Sequence, residues 1–380
     1  MSTAEGTARQ YWRSPSIVPL IEVPTIRGRV ATLDLLRFIF ATWVLLFAHL
    51  AFWAAYGGQS YSGEAVARWL ADVFQAGGET HPAVLGFIVL SGYCIHRAGL
   101  RSGALNGPTL RAYAIRRATR IFPVFLLGVA AGAGLWLIAT QVDATAAKAL
   151  SGTSALSGFA LLGKALTLDA WVPAWDFDFW QGNAPLHTVA AEIWLYAWYP
   201  LIAWGLTRMR ERWLWVGLVG LECLAAFVLS GHAEWTNWWH NVSSVGFLLY
   251  WWIGARMVGI RTSGVLASAA IVVWLCLTVV IMNGTNDFLI VETRKASLAI
   301  LVGLGISALD RPYPIPRSLS RLGEAGYSLY AFHAPVAYLG VVLGVWWPAI
   351  VASAVVLGLL MFRFVERPGM ALGKRLVSRQ

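Results

Sequence analysis

The chain has 380 residues, of which 58% are hydrophobic and only 13% are charged, whereas soluble domains carry about 25% charged residues. This composition excludes an ordinary water-soluble fold. The net charge of +10 would suit nucleic acid, but the basic residues lie between apolar runs and form no single patch, so no nucleic-acid partner is expected. The three cysteines, Cys94, Cys223 and Cys276, have no metal-ligand spacing, so structural thiols and no metal site are expected.

Repeated apolar runs predict transmembrane α-helices, because about 20 residues cross the hydrocarbon core of a membrane. The runs are continuous and do not alternate, which favours helices over a β-barrel. We therefore predict an all-α integral membrane protein, a bundle of about ten transmembrane helices. The predicted spans are 33–54, 82–99, 121–141, 186–207, 212–231, 241–259, 263–283, 294–310, 325–345 and 347–364.

The positions of lysine and arginine set the expected orientation, because cytoplasmic loops hold most of these residues. Ten spans place both termini on one side, and the basic residues then concentrate on that side, which is predicted to be the cytoplasm. The exceptions on the outer side are Arg68, Lys148, Lys164, Arg294 and Lys295. The predicted location is the inner cell membrane, with the surrounding lipid as a partner.

The chain divides into three predicted parts. Residues 1–29 are polar and lack the apolar core of a signal peptide, so they are predicted to be a cytoplasmic leader. Residues 30–367 form the membrane domain, and residues 368–380 form a basic cytoplasmic tail. Two long outer segments, 55–81 and 142–185, interrupt the spans and are expected to be functional or mobile loops.

The second outer segment ends in an aromatic and acidic run that includes Trp175, Asp176 and Asp178. Aromatic faces and carboxylates suit sugar rings, so these residues are candidates for acceptor binding. A tryptophan-rich belt at the membrane interface is the alternative interpretation.

Few ionisable residues interrupt the predicted spans, and such residues tend to mark function. The first span carries Arg37 near its inner end and His49 near its outer end, roughly 18 Å apart. The fourth span begins with His187 and places Glu192 about a turn and a half deeper, whereas His333 lies near mid-depth in the ninth. His49, Glu192 and His333 could therefore converge. The alternatives are packed core histidines and an Arg37 side chain that extends to the inner surface.

A basic cluster of Arg116, Arg117 and Arg120 precedes the third span. Arg117 and Arg120 are three residues apart and share a helix face, a geometry that suits two oxygens of a phosphate or pyrophosphate. The ordinary excess of positive charge on the cytoplasmic side explains the same cluster without a ligand.

Five segments, in this order along the chain, carry a family resemblance: LDLLRFIFATWVLLFAHL, GFIVLSGYCI, RRATRIFPVFLL, PLHTVAAEIWLYAWYPL and YSLYAFHAPV. Together they resemble membrane acyltransferase family three, which includes O-antigen, exopolysaccharide and peptidoglycan O-acetyltransferases. The resemblance extends from about residue 30 to residue 367.

The resemblance implies transfer of an acyl group, with acetyl as the leading choice, from cytoplasmic acyl-CoA to a hydroxyl of an extracytoplasmic carbohydrate or glycolipid acceptor. It implies that Arg37 and His49 are essential, that Arg117 and Arg120 bind acyl-CoA, and that Glu192 supports activity. Acetyl-CoA is thus the expected co-substrate, with His49 as general base and Glu192 as the group that orients it. A covalent acetyl-histidine is the alternative to direct transfer.

A proton-coupled transporter or flippase of a lipid-linked glycan is the alternative function, because intramembrane histidine and glutamate can also relay protons. The sequence shows no internal repeat of the kind common among secondary transporters, which disfavours that function.

Two positions depart from the family pattern. Eleven residues separate Arg37 from His49, one more than the family usually has. Either a π-bulge absorbs the extra residue, or Arg37 turns away from His49 and serves the donor channel or the inner end of the bundle. His187 stands where the family commonly has tryptophan, and Thr188 replaces serine, so both become candidates for contact with the acceptor.

Overall fold

The computed structural model describes residues 31–56, 60–75, 80–102, 107–151, 158–171, 183–229, 231–260, 264–285, 287–311 and 313–378. Within these ranges the chain is helical and contains no β-strand, which confirms the all-α prediction. The predicted leader 1–29 and the residues Trp175, Asp176 and Asp178 lie outside the described residues.

The helices, in chain order, are α1 (Ala31–Val44), α2 (Ala51–Tyr56), α3 (Glu64–Phe74), α4 (Pro82–Ser102), α5 (Gly107–Val142), α6 (Ala144–Ser151), α7 (Gly158–Ala165), α8 (Leu186–Leu206), α9 (Glu211–Leu229), α10 (Ala233–Asn241), α11 (Leu248–Arg256), α12 (Gly264–Met282), α13 (Phe288–Leu309), α14 (Arg317–Glu324), α15 (Gly326–Val342), α16 (Trp347–Met361) and α17 (Arg367–Ser378). Two π-helical turns, Leu45–Leu50 and Phe362–Glu366, join α1 to α2 and α16 to α17. Leu168–Ala170 is a short 3₁₀ turn.

Six of the described helical stretches are long and apolar enough to cross a membrane: Ala31–Leu50, Pro82–Leu100, Thr109–Val142, Glu211–Leu229, Gly264–Met282 and Trp347–Ser378. Each overlaps a predicted span, but Thr109–Val142 begins well before the span 121–141, and Trp347–Ser378 continues well beyond 347–364. The shorter or more polar helices α8, α13 and α15 also lie where spans are predicted. A helical multi-pass membrane protein follows, whereas the count of ten and the cytoplasmic position of both termini stay predictions.

The sixth predicted span, 241–259, is wrong as a single helix. Helix α10 ends at Asn241 and α11 begins only at Leu248. The turn between them folds back on α10, because a Cβ on Gly246 would lie 2.3 Å from the carbonyl oxygen of Trp239. Apolar length alone does not reveal such a break.

The two outer segments are not simple loops. Residues 64–74 form α3, and residues 144–151 and 158–165 form α6 and α7. The sequence places Arg294 and Lys295 on the outer side, where the predicted span 294–310 begins. In the structure α13 begins earlier, at Phe288, and both residues are buried within it, with exposures of 1% and 2%.

Helices α4 and α11 touch backbone to backbone near the centre of the bundle. A Cβ on Gly92 would lie 1.9 Å from the carbonyl oxygen of Trp251, and one on Gly254 would lie 2.0 Å from that of Val89. Small residues permit this approach in membrane helix pairs. Gly92, the second glycine of the segment GFIVLSGYCI, is therefore required for packing.

Helix α15 is almost entirely buried and packs against α1, the following π-helical turn, α5 and α16. Its start requires another close approach, since a Cβ on Gly326 would lie 2.7 Å from the amide nitrogen of Phe38 on α1. Helix α8 packs against α4 and α5, and α4 also contacts α1. These contacts bring side chains of α1, α5, α8 and α15 into one interior region.

Candidate active site

A pair of histidines lies where the first π-helical turn meets α15. The rings of His49 and His333 have centroids 5.1 Å apart in an edge-to-face arrangement. His333 is fully buried, with 0% exposure, whereas His49 remains partly accessible. We call these two residues the histidine pair; of the two, only His49 keeps exposed surface.

The backbone fixes the protonation pattern of His333. Its Nδ1 atom lies 2.8 Å from the carbonyl oxygen of Tyr330 and 3.3 Å from that of Leu329. Since carbonyl oxygens only accept hydrogen bonds, Nδ1 carries the proton and Nε2 carries a lone pair. That buried Nε2 atom has no hydrogen-bond partner among the described residues. His333 Nε2, on the ring next to His49, can therefore accept a hydrogen bond.

The π-helical turn Leu45–Leu50 decides between the two alternatives for the Arg37 to His49 spacing. Such a turn inserts one residue into an α-helix, often at a functional site. The eleven intervening residues therefore act as ten, and His49 returns to nearly the same face of the helix as Arg37. The expectation that Arg37 turns away from that face is wrong, although the two residues still differ in depth.

Prolines inside the helices expose carbonyl groups at the site, because proline has no N–H for the oxygen four residues earlier. Pro335 leaves the carbonyl oxygen of Ala331 without its helical partner, and Asn183 Nδ2 donates to it at 3.3 Å and to the Gly128 oxygen at 2.7 Å. Asn183 thereby ties the start of α8 to α5 and α15 close to the histidine pair.

His187 and Thr188 occupy the first turn of α8, and Thr188 is buried. His187 and His81 both lie within electrostatic range of His49. The structure therefore brings His187 towards the histidine pair. Among the described residues, no group of three or more histidine, cysteine, aspartate or glutamate side chains could hold a metal ion.

A buried ion pair stands beside this region and outside the six candidate spans. Lys164 donates to Asp169, and both residues are buried. Burial lowers the pKa of the Lys164 ammonium, and Asp169 acts in the opposite direction. The charge of Lys164 also reaches His187, so the segment 158–171 contributes to the electrostatics of the histidine region.

Glu192 lies in a part of the site distinct from the histidine pair, which we call the second level. Tyr196, one turn further along α8, donates its hydroxyl hydrogen to Glu192 Oε1, and Ser91 on α4 donates to the Tyr196 hydroxyl at 3.3 Å. The sequence hypothesis pairs Glu192 with His49. In the structure the carboxylate contacts Tyr196, and the ring that meets His49 is that of His333.

Arg117 and Arg37 lie at this second level. The guanidinium of Arg117 stacks over the rings of Tyr113 and Tyr196, at 5.6 and 5.5 Å from their centroids. Arg37 donates to Asp34 at 2.6 Å and lies within electrostatic range of Tyr196 and Glu192. Tyr196 is thus the hub at which α1, α5 and α8 meet.

A third proline shapes the hub. Pro200 in α8 leaves the carbonyl oxygen of Tyr196 without its helical partner. The hydroxyl of Tyr113 donates to that oxygen at 2.9 Å. Helices α5 and α8 are therefore joined at the level where Arg117 stacks.

The predicted donor arginines are not equivalent. Arg120 donates through Nε to Glu366 Oε1 at 3.2 Å, and Arg117 stacks on tyrosines. Arg116, in contrast, is exposed. We call Arg37, Arg117 and Arg120 the arginine level, and it is separated from the histidine pair along the helix axes.

The sequence interpretation missed Tyr196, Ser91, Asn183 and Glu366. A signal was present for Tyr196, since it follows Glu192 by four residues and such pairs are neighbours on a helix. The prolines gave a second signal, because each marks an unpaired carbonyl four residues earlier. Asn183 and Glu366 depend on contacts between distant segments.

The comparison with protein families gives one match. A family model described as an acyltransferase domain, family three, matches residues 30–363 of the chain. The match includes the histidine pair, the hub and the arginine level. The chain matches no curated protein and no solved structure.

Proposed function

We propose that this chain, which belongs to membrane acyltransferase family three, transfers an acyl group from a CoA thioester to a hydroxyl of a carbohydrate or glycolipid acceptor, with acetyl as the group moved. One observation carries the proposal: the ring of the partly exposed His49 packs edge to face on His333, whose buried Nε2 has no hydrogen-bond partner among the described residues. Transfer of an acyl group to an alcohol needs a base of this kind.

In the proposed reaction, His49 removes the proton of the acceptor hydroxyl as its oxygen attacks the thioester carbonyl carbon. The new C–O bond replaces the C–S bond, and the proton passes from His49 to the departing sulfur, so ester and CoA thiol are formed without net proton release. Imidazole suits both steps because its ordinary pKa lies near neutrality.

His333 takes the role that the sequence hypothesis gives to Glu192. When His49 is protonated, the Nε2 lone pair of His333 can accept a hydrogen bond from it and stabilise the cation, in the manner of a third triad member. The Nδ1 hydrogen bond to Tyr330 holds the His333 ring in place. Glu192 and Tyr196 act between the histidine pair and the donor arginines.

The arginine level is proposed to hold the phosphates of the donor. Guanidinium groups bind phosphate oxygens through charge-assisted hydrogen bonds. Arg37 and His49 lie on one face of the first membrane helix, roughly 18 Å apart along its axis. The extended pantetheine arm of CoA would run along that face and bring the thioester to His49, while the acceptor approaches from the opposite end.

The test is transfer by purified protein in detergent, supplied with acetyl-CoA labelled in the acetyl group and with candidate glycans. We expect the label on the glycan, with one thiol released for each ester formed. His333→Gln should lower the transfer rate while CoA binding persists. Thiol release that does not depend on any glycan or lipid-linked acceptor, or no binding of CoA, would contradict the proposal.

A further inference from the structure

Glu366 is a fully buried carboxylate, with 0% exposure, that the proposed reaction does not use. It ends the π-helical turn Phe362–Glu366. The described part of the chain has two π-helical turns, and each places an ionisable side chain towards the interior; the other carries His49. Because π-helical turns occur frequently at functional sites, Glu366 needs a functional explanation.

Both oxygens of Glu366 have partners. Oε1 accepts from Arg120 Nε at 3.2 Å, and Oε2 accepts from Ser328 Oγ at 2.8 Å. The side chain of Arg120 is 26% exposed, whereas that of Glu366 is 0% exposed. The carboxylate therefore holds the guanidinium from the buried side by its Nε edge. The terminal amino groups are the outer atoms of the same rigid plane, so the contact through Nε also sets their orientation.

The backbone explains why the carboxylate can reach Arg120. Pro123 leaves the carbonyl oxygen of Thr119 without its helical partner. Helix α17 approaches α5 at this point, and only glycine fits, since a Cβ on Gly369 would lie 2.2 Å from that oxygen and one on Gly373 would lie 2.2 Å from Thr119 Oγ1. The π-helical turn before α17 thus places Glu366 beside Arg120.

We infer that Glu366 is a positioning residue of the donor site, which orients Arg120 so that its outer N–H groups meet a phosphate of the CoA moiety. The inference rests on the proposed function, because it assumes that the arginine level binds the donor. A guanidinium fixed in its plane loses less side-chain entropy when it binds phosphate. Arg120 without Glu366 would keep its charge but not its orientation.

The experiment measures CoA binding by calorimetry with the full-length protein in detergent. Glu366→Ala should weaken CoA binding about tenfold or more, since a charge-assisted hydrogen bond is lost from the site. The KM for acetyl-CoA should rise in parallel, while kcat at saturating donor changes little. S-acetylpantetheine, a thioester donor that lacks the phosphates, should have the same KM with the wild-type and Glu366→Ala proteins.

Three further measurements separate positioning from general damage. In an Arg120→Ala background, Glu366→Ala should cause no additional loss of CoA affinity. Ser328→Ala and the isosteric Glu366→Gln should each weaken CoA binding to a lesser degree, and they serve in place of Glu366→Ala if that variant does not fold. Unchanged or tighter CoA binding in the folded variants would overturn the inference. Absence of CoA binding by the wild-type protein would instead refute the donor assignment itself.

Discussion

Two buried polar centres in this protein invite comparison. One is the histidine pair, where the Nε2 lone pair of His333 has no partner. The other, which we call the ionic cluster, consists of His240, Glu292 and Lys295, whose exposed fractions are 3%, 3% and 2%. Both contain buried ionisable groups, which in a membrane protein tend to mark function, yet their chemistry differs.

The ionic cluster contains both signs of charge and pairs them through Glu292 Oε1, while Glu292 Oε2 has no hydrogen-bond partner among the described residues. Lys295 Nζ donates to Glu292 Oε1 at 2.9 Å, and Glu292 Oε1 also contacts His240 Nδ1. The carbonyl oxygen of His240 accepts from Thr80, the residue two before α4. The cluster therefore connects α10, α13 and the approach to α4. The ionic cluster thus pairs opposite charges with each other, whereas the contact in the histidine pair joins two imidazole rings, and only the histidine pair is proposed to supply the base.

The largest expected effect is on the histidine pair. His49→Ala should lower kcat by about 10²–10⁴-fold, the usual contribution of a general base, while the protein stays folded and binds CoA. Labelled-acetyl transfer at saturating substrates measures it. The matched control is His240→Ala in the ionic cluster, which should reduce stability and leave kcat per folded molecule within a few fold. Wild-type turnover in His49→Ala would reverse the comparison.

The ionic cluster should respond in the opposite way. Glu292→Ala leaves the buried Lys295 ammonium without its carboxylate, and loss of one partner from a buried pair costs about 3–5 kcal/mol. Thermal or denaturant unfolding in detergent should show this loss, with kcat of the folded fraction retained. The double variant Glu292→Leu/Lys295→Met should recover most of the stability. Equal unfolding of Glu292→Ala and wild type would remove the structural role.

The third-largest expected effect is on the arginine level. Replacing both Arg117 and Arg120 by alanine should weaken CoA binding by about two orders of magnitude, since each charge-assisted hydrogen bond contributes roughly 1.5–3 kcal/mol. Calorimetry with CoA measures it. Arg116→Ala is the matched control, because Arg116 is exposed and is not part of the arginine level, so its loss should change affinity little. If Arg116→Ala lost as much CoA affinity as the double variant, the arginines would act only through their overall positive charge.

The helices that the sequence predicts well are those that hydropathy alone defines. The spans 82–99 and 263–283 match Pro82–Ser102 and Gly264–Met282 closely. The break between Asn241 and Leu248 escapes prediction, because it depends on the contact between Gly246 and Trp239. The short helix Glu64–Phe74 also escapes prediction, because it is amphipathic and too short to form an apolar run that spans a membrane.

The candidate site shows the same division. Motifs identify residues such as His49 and Arg120, but their partners come from elements far apart in sequence: His333 from α15 and Glu366 from the turn before α17. The π-helical turn at Leu45–Leu50 is an exception, since an extra residue in an otherwise regular spacing predicts it as one of two alternatives.

The smallest expected effect concerns Tyr196, the hub between the histidine pair and the arginine level. Tyr196→Phe removes the hydroxyl that donates to Glu192 and accepts from Ser91, but it keeps the ring on which Arg117 stacks. Glu192 then loses a donor, a change that costs about 1–3 kcal/mol. If the hub only joins the helices, this appears as lower stability with unchanged kinetics.

If the hub links donor and base, the result differs. Tyr196→Phe should then lower kcat by about tenfold, the equivalent of one such hydrogen bond, with the affinity for CoA preserved because the stacking surface remains. Glu192→Gln should reproduce the loss, and the two substitutions together should cost no more than either alone, since both break the same contact. Stopped-flow detection of thiol release, combined with unfolding curves for the same proteins, separates the two roles. Additive losses in the double variant would show that Glu192 and Tyr196 act independently and that the hub is a packing contact.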